Sequence, residues 1–300
     1  MNRADLDRLV SERAQVMRML DNIPLDRVID RGGLEYRLDE LKEQINKAGD
    51  IPVPAKAVIT FNGKPIVGDS HGIYFDFATK ALKSFANAVA TLAVPDTVEL
   101  AERARIPGKE QNSLVITGTA LGSFGFELEE APNGDLGMES PTAQALEQIT
   151  SILASSKASD DELASTISDA HPRALKLVRK FLELLVKNEA VMTLSTNEKA
   201  IAFTHVAEVE RSLERMQADN VRENDEVIRG HFLAVLPHLR TFEFVKEGEQ
   251  EPIRGKVLKS LAEVDAINDH RRQTVDAKFK VTKVGGGKPS YLLVELPKWV

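Results

Sequence analysis

The string Gly68-Asp69-Ser70-His71-Gly72 gathers an acid, a hydroxyl and an imidazole within five residues. These are the groups of nucleophilic hydrolysis and group transfer, in which a base takes the hydroxyl proton and an acid orients the base. Convergence is the difficulty. Successive residues of an extended chain point to opposite faces, so the three groups meet only if the string makes a special turn. A plain turn leading into the next helix accounts for the composition equally well. The expectation is therefore a structural turn, with Asp69, Ser70 and His71 kept as the catalytic candidates of an otherwise unrecognised hydrolase or transferase.

The glycine-rich stretch Ser113 to Glu130, SLVITGTALGSFGFELEE, invites a phosphate-cradling reading, but its spacing refuses it. Gly118, Gly122 and Gly125 match neither the dinucleotide fingerprint nor the P-loop, and GSFG is not a nucleophile elbow. No helical pattern follows at once, so no helix N-terminus is offered to an anion. Read with period two, Leu114, Ile116, Gly118, Ala120, Gly122, Phe124, Phe126 and Leu128 share one apolar or small side. That is the pattern of a half-buried strand, or of two strands joined near Thr119–Gly122, with the glycines marking a bend, a bulge or a close chain contact.

Metal chemistry finds little support. The six histidines (His71, His171, His205, His231, His238, His270) show no ligand spacing, and without cysteine there is no thiolate ligand or disulfide. No metal site and no cofactor are expected. The acidic pairs Glu129-Glu130 and Asp160-Asp161 suit a solvated loop and a helix N-terminus.

The remaining chemistry is cationic. Arg254, Lys256, Lys278, Lys280, Lys283 and Lys288 cluster in the C-terminal region, with Lys278 and Lys280 on one face of an alternating strand. Single-strand binding surfaces combine such cations with exposed aromatic rings. Phe232 and Phe279 read as inward, which leaves Tyr291, and after it Phe242 or Phe244, as the stacking candidates. A nucleic-acid groove is thus the alternative to a solvated or protein-binding barrel face. The formal net charge of −7 argues against broad, non-specific nucleic-acid binding.

These groups need elements to position them. Residues 1–48 read as a helical hairpin. Leu6, Leu9, Val10, Met17 and Leu20 form one stripe, and Leu34, Leu38, Leu41 and Ile45 a short coiled-coil seam, with Gly32-Gly33 stopping the helix between them. AGDIPVPAK reads as an extended linker. A central α+β domain follows over residues 55–220. Asn62-Gly63 suggests a type I′ hairpin, and Asp76 a cap for the helix carrying Phe77, Ala81, Phe85 and Val89. Ser159–Glu162 forms a capping box, Pro172 opens a strongly apolar helix, and a second hairpin turns at Asn197-Glu198.

Residues 224–300 then show three strands, a helical piece and two strands, the order of a small OB-type barrel, with an SH3-like barrel as rival. The fold class is α+β. No apolar run approaches 18 residues, so no membrane span is expected. The charged N-terminus lacks a signal-peptide core, and the location expected is cytoplasmic. The functional expectation is a non-enzymatic interaction or adaptor protein. It would self-associate as a homo-oligomer, or dock, through residues 1–48 and engage a protein partner through the barrel.

Overall fold

The computed structural model describes residues 8–9, 12–13, 15–16, 19–20, 23, 27–47, 55–95, 98, 100–101, 104–120, 124–131 and 140–299, with the backbone alone for 28–30, 45–47 and Asp69. Contacts divide the chain into two units, residues 1–54 with 132–139, and residues 55–131 with 140–300.

In the first unit, helix α1 spans Val28–Lys47. It runs straight through Gly32 and Gly33, which corrects the expectation that these glycines end a helix; a side chain at either would meet open space. Leu41 is buried with Val16 and Leu20 from the helical residues between 8 and 20, and Leu9, Leu34 and Leu38 border them. Arg37 pairs with Glu12 and with Glu40, each at 2.7 Å, while Arg31 Nη1 donates to the carbonyls of Leu20 and Ile23. Leu6, Val10, Met17, the side chain of Ile45 and most of the expected linker lie outside the described residues.

The second unit is built on an antiparallel sheet ordered β4-β5-β1-β6-β7. Its strands are β1 (Lys56–Gly63), β4 (Leu114–Ala120), β5 (Phe124–Glu130), β6 (Ala190–Thr196) and β7 (Ala200–Ala202). A two-stranded ribbon of β2 (Ile66–Val67) and β3 (Gly72–Ile73) precedes α2 (Phe75–Leu92). Then come α3 (Pro141–Ala158), α4 (Asp160–Ile167), α5 (Pro172–Lys187) and α6 (Val206–Arg215). Alternate residues Ala57, Ile59 and Phe61 of β1 are buried with Phe85, Phe181, Leu182 and Leu194 in one core.

Three local expectations change here. Asn62-Gly63 does not join a paired hairpin: β1 is the central strand, so its last residues pair with Val191 and Ala190 of β6. Asp76 sits in the first turn of α2, and the residue at the cap position is Tyr74, whose side chain makes no capping bond. The glycine stretch forms two strands, β4 and β5, as one of its two readings expected, but the single shared side does not hold, because chain parity flips at a bulge between Ile116 and Gly118. Beyond that bulge Thr119, not Gly118 or Ala120, stands opposite Phe126. Because β4 is an edge strand, Ile116 is 57% exposed. Gly125 meets its expectation, since a Cβ there would lie 2.5 Å from the Ile59 carbonyl oxygen and 2.8 Å from Thr60 Cα. Gly122 lies outside the described residues.

Helix starts follow the sequence signals more closely. Ser159 Oγ accepts from Glu162 N at 3.2 Å, and Pro172 opens α5 with His171 Nδ1 accepting from Arg173 N. β6 and β7 pair across a turn at residues 197–198.

The C-terminal part is a closed five-stranded barrel, so the chain as a whole is mixed α+β. Its strands are β8 (Val221–Leu236), β9 (Thr241–Lys246), β10 (Ile253–Val257), β11 (Thr274–Val284) and β12 (Ser290–Leu293), with α7 (Ala266–Asp269) before β11. Around the barrel the order is β10-β12-β11-β8-β9, and only the β10–β12 pair is parallel. The long strand β8 pairs first with β11 and then, from Gly230, with β9. Phe232, Phe242, Phe244 and Phe279 fill the interior, with ring centroids 4.8–5.8 Å apart.

Helix α4 packs against the outside of β11 and β12. Lys256 Nζ reaches Asp169 at 2.8 Å, Lys288 N donates to Asp161 Oδ1 at 2.6 Å, and Arg215 ties Asp160 to the last carbonyls of α3. Val284, at the end of β11, is buried in the core of the sheet and helices.

Candidate functional site

The Gly68–Gly72 string forms the tip between β2 and β3, with a single 3-10 turn at Gly68–Ser70. Ser70 and His71 are both exposed and share no hydrogen bond; the side chain of Asp69 lies outside the description. The positive φ of 58° at Gly68 and the bonds from His71 N to Val67 O and Gly68 O are those of a tight turn.

What surrounds the tip is more informative. One backbone bond runs from Lys64 N to Glu189 O (3.3 Å) and another from Tyr74 N to Pro65 O (3.0 Å). The β1–β2 turn therefore links the start of α2 to the end of α5. At this apex Val67, Tyr74 and Phe75 are 44%, 62% and 79% exposed. Isolated exposed apolar residues are ordinary; here three fall on the β2–β3 ribbon and the start of the helix it leads into.

The barrel cations do not gather into one face. Arg254 pairs with Glu243 across the β9–β10 ribbon at 2.9 Å, and Lys256 is held by Asp169. Lys288 sits in the loop fastened to α4. Lys278, Lys280 and Lys283 stay on β11, half-buried, with Lys280 opposite Asp225 of β8. The aromatic candidates point the other way from expectation. Tyr291 is 7% exposed and meets Phe279 edge-on at 6.2 Å, and Phe242 and Phe244 are buried. Tyr291 belongs to the buried cluster inside the barrel, on a strand whose last three residues are all buried.

Other polar clusters resolve into structural ties. Glu208 accepts from Thr204 N (2.8 Å) and pairs with Lys157 (3.0 Å). The backbone donor and the ammonium together hold its carboxyl at about 2, from an ordinary 4.5. Lys157 also donates to Ala202 O, so the cluster joins the end of α3, the end of β7 and the first turn of α6. Lys199 donates to Ser151 Oγ at 2.8 Å, a Ser–Lys contact, but Lys199 is exposed and the Ser151 hydroxyl already donates to Glu147 O.

The histidines remain dispersed: His171 caps α5, His270 stacks on Trp299 at 4.4 Å, and His238 is exposed. Among the described residues no group of histidine and carboxylate ligands could hold a metal ion, and no helix is long and apolar enough to cross a membrane.

Sequence reasoning missed the apex. Tyr74 and Phe75 precede an apolar stripe and carry no motif of their own, and Lys64, Lys80 and Lys187 are spread over more than a hundred residues. The only local signal was the tight glycine-bounded turn. Set beside known proteins, the chain matches no family model, no curated protein and no solved structure.

Proposed function

We propose that the chain is a non-enzymatic interaction protein whose N-terminal helices self-associate or dock on a partner and whose barrel engages a second protein. The carrying observation is the apolar seam that the described residues of the first unit form. Its buried apolar side chains among the described residues are Val16, Leu20 and Leu41, while Tyr36 is 74% exposed. A short helical seam gains stability when another surface covers it.

For the barrel, the strand sequence first-second-third-fifth-fourth, closing back on the first, favours the OB-type over the SH3-like reading. Such barrels take ligands on the second and third strands and on the loops after the first and fourth. Here Asp161 and Asp169 of the helical layer hold the loop after the fourth strand and the third strand. The turn after the first strand is tied by Arg240 to the carbonyl of Leu261, and at this turn Leu236 and Leu239 are exposed. An apolar rim of this kind suits a protein better than a phosphate backbone.

The test is light scattering over a dilution series, on the full chain and on a chain lacking residues 1–47. The full chain should form an oligomer that dissociates on dilution, and the shortened chain should remain monomeric. A concentration-independent monomer in both would remove self-association, and unchanged oligomers in both would move it elsewhere.

A further inference from the structure

The apex joins its apolar tip to a field of lysines. Helices α2 and α5 lie side by side, with Phe85 and Phe181 6.0 Å apart and Ser84 Oγ donating to Leu177 O. Their outer sides carry Lys80 and Lys83 on α2, and Lys176, Lys180 and Lys187 on α5, all exposed. Intervals of three, four and seven residues keep each row on one helical face. Lys64 adds a further cation at the tip and pairs with Glu189, and Lys80 lies 3.9 Å from Asp76. Among the described residues Lys83, Lys180 and Lys187 have no ion-pair partner. Glu183 stands in the α5 row and Asp76 and Glu189 lie beside the tip, so the six lysines exceed these acids by three on a chain with net charge −7.

We infer that this apex docks on an anionic lipid surface, with Val67, Tyr74 and Phe75 in the interfacial layer and the lysines over the headgroups. Three features select this occupant. Aromatic side chains are at home at the level of lipid headgroups. Val67 adds an aliphatic group that buries in lipid but cannot stack on a base. The cations are lysines, compact point charges that suit a diffuse anionic layer.

A single-stranded nucleic acid would instead need a groove that tracks its backbone. Two shallow concavities among the described residues lie elsewhere, lined by residues such as Arg211 and Asn220 or Arg105 and Gln111. Side chains as exposed as Phe75 and Tyr74 project from a surface rather than line a cleft. The contact would lie on the membrane without crossing it, and would be reversible.

Co-sedimentation of the full chain with vesicles tests this, using phosphatidylcholine alone and phosphatidylcholine with about a third phosphatidylserine. Binding is expected only to the anionic vesicles and should weaken as salt rises. Each of Lys83→Gln and Lys180→Gln should lower partitioning about fivefold, and Phe75→Ser about tenfold. Lys278→Gln with Lys280→Gln on the barrel should leave it unchanged.

Equal binding to neutral vesicles, parent-like binding by the apex variants, or loss of binding in the barrel variant would each overturn the assignment. So would tighter capture of a labelled thymidine oligonucleotide that the same lysine changes abolish, since the face would then belong to nucleic acid. All of the substituted side chains are exposed or half-buried, so circular dichroism of each variant should match the parent.

Discussion

Replacing Glu208 with glutamine tests the electrostatics of the second unit directly. The carboxylate is held at about 2 from an ordinary 4.5, first by the backbone N–H of Thr204 and then by Lys157. A depressed carboxyl stabilises the fold fully above its unfolded value, and that contribution is lost as pH falls from about 4.5 towards 2. The whole shift would correspond to about 3 kcal/mol. The Glu208 and Lys157 side chains are 16% and 34% exposed, so solvent screening leaves about 1 kcal/mol as the working figure. Glutamine keeps an acceptor for Thr204 and removes the charge. Urea unfolding followed by circular dichroism should show Glu208→Gln less stable than the parent by about 1 kcal/mol at neutral pH. The gap should narrow through pH 4 and close near pH 2. A gap that stays constant across this range, or none at neutral pH, would refute the assignment of the shift to these partners.

Gly125→Ala should destabilise the sheet by about 3 kcal/mol, because the new methyl meets β1 backbone that cannot move aside; thermal unfolding reads it. Gly32→Ala with Gly33→Ala should raise helicity and stabilise α1 by about 1 kcal/mol per site, since both lie within the helix facing open space; circular dichroism of the full chain measures it. Asp169→Asn should speed amide exchange in β10, where Lys256 loses its ion pair, and Asp161→Ala should do the same in the loop of residues 285–289.

What could be read from the sequence was whatever depends on near neighbours. The alternation Val275, Ala277, Phe279 and Val281 announced β11 and its inner face, and all four are buried. The capping serine at 159 and the proline at 172 set helix starts as local chemistry demands. The misreadings fall where distant chain decides. Asn62-Gly63 carries a hairpin signal, yet β1 is claimed on both sides by β5 and β6. A single extra residue, Thr117, between Ile116 and Gly118 exchanged the faces of β4 beyond it, which strict period-two counting cannot anticipate. Tyr291 sits in a four-residue strand with three buried positions, where alternation gives no inside or outside. The catalytic candidates, in turn, were chosen for their types alone, and the apex emerged only when residues 64, 74 and 189 came together.

The fastening of α4 across the barrel wall has a practical corollary for anyone who mutates or trims this chain. Leu292 and Thr282 on that wall are almost wholly shielded, so a fragment beginning near residue 221 would present them to water and should precipitate or breathe. By the same logic, lesions selected for faulty barrel behaviour should map in part to residues 160–169, far from the barrel in the linear chain.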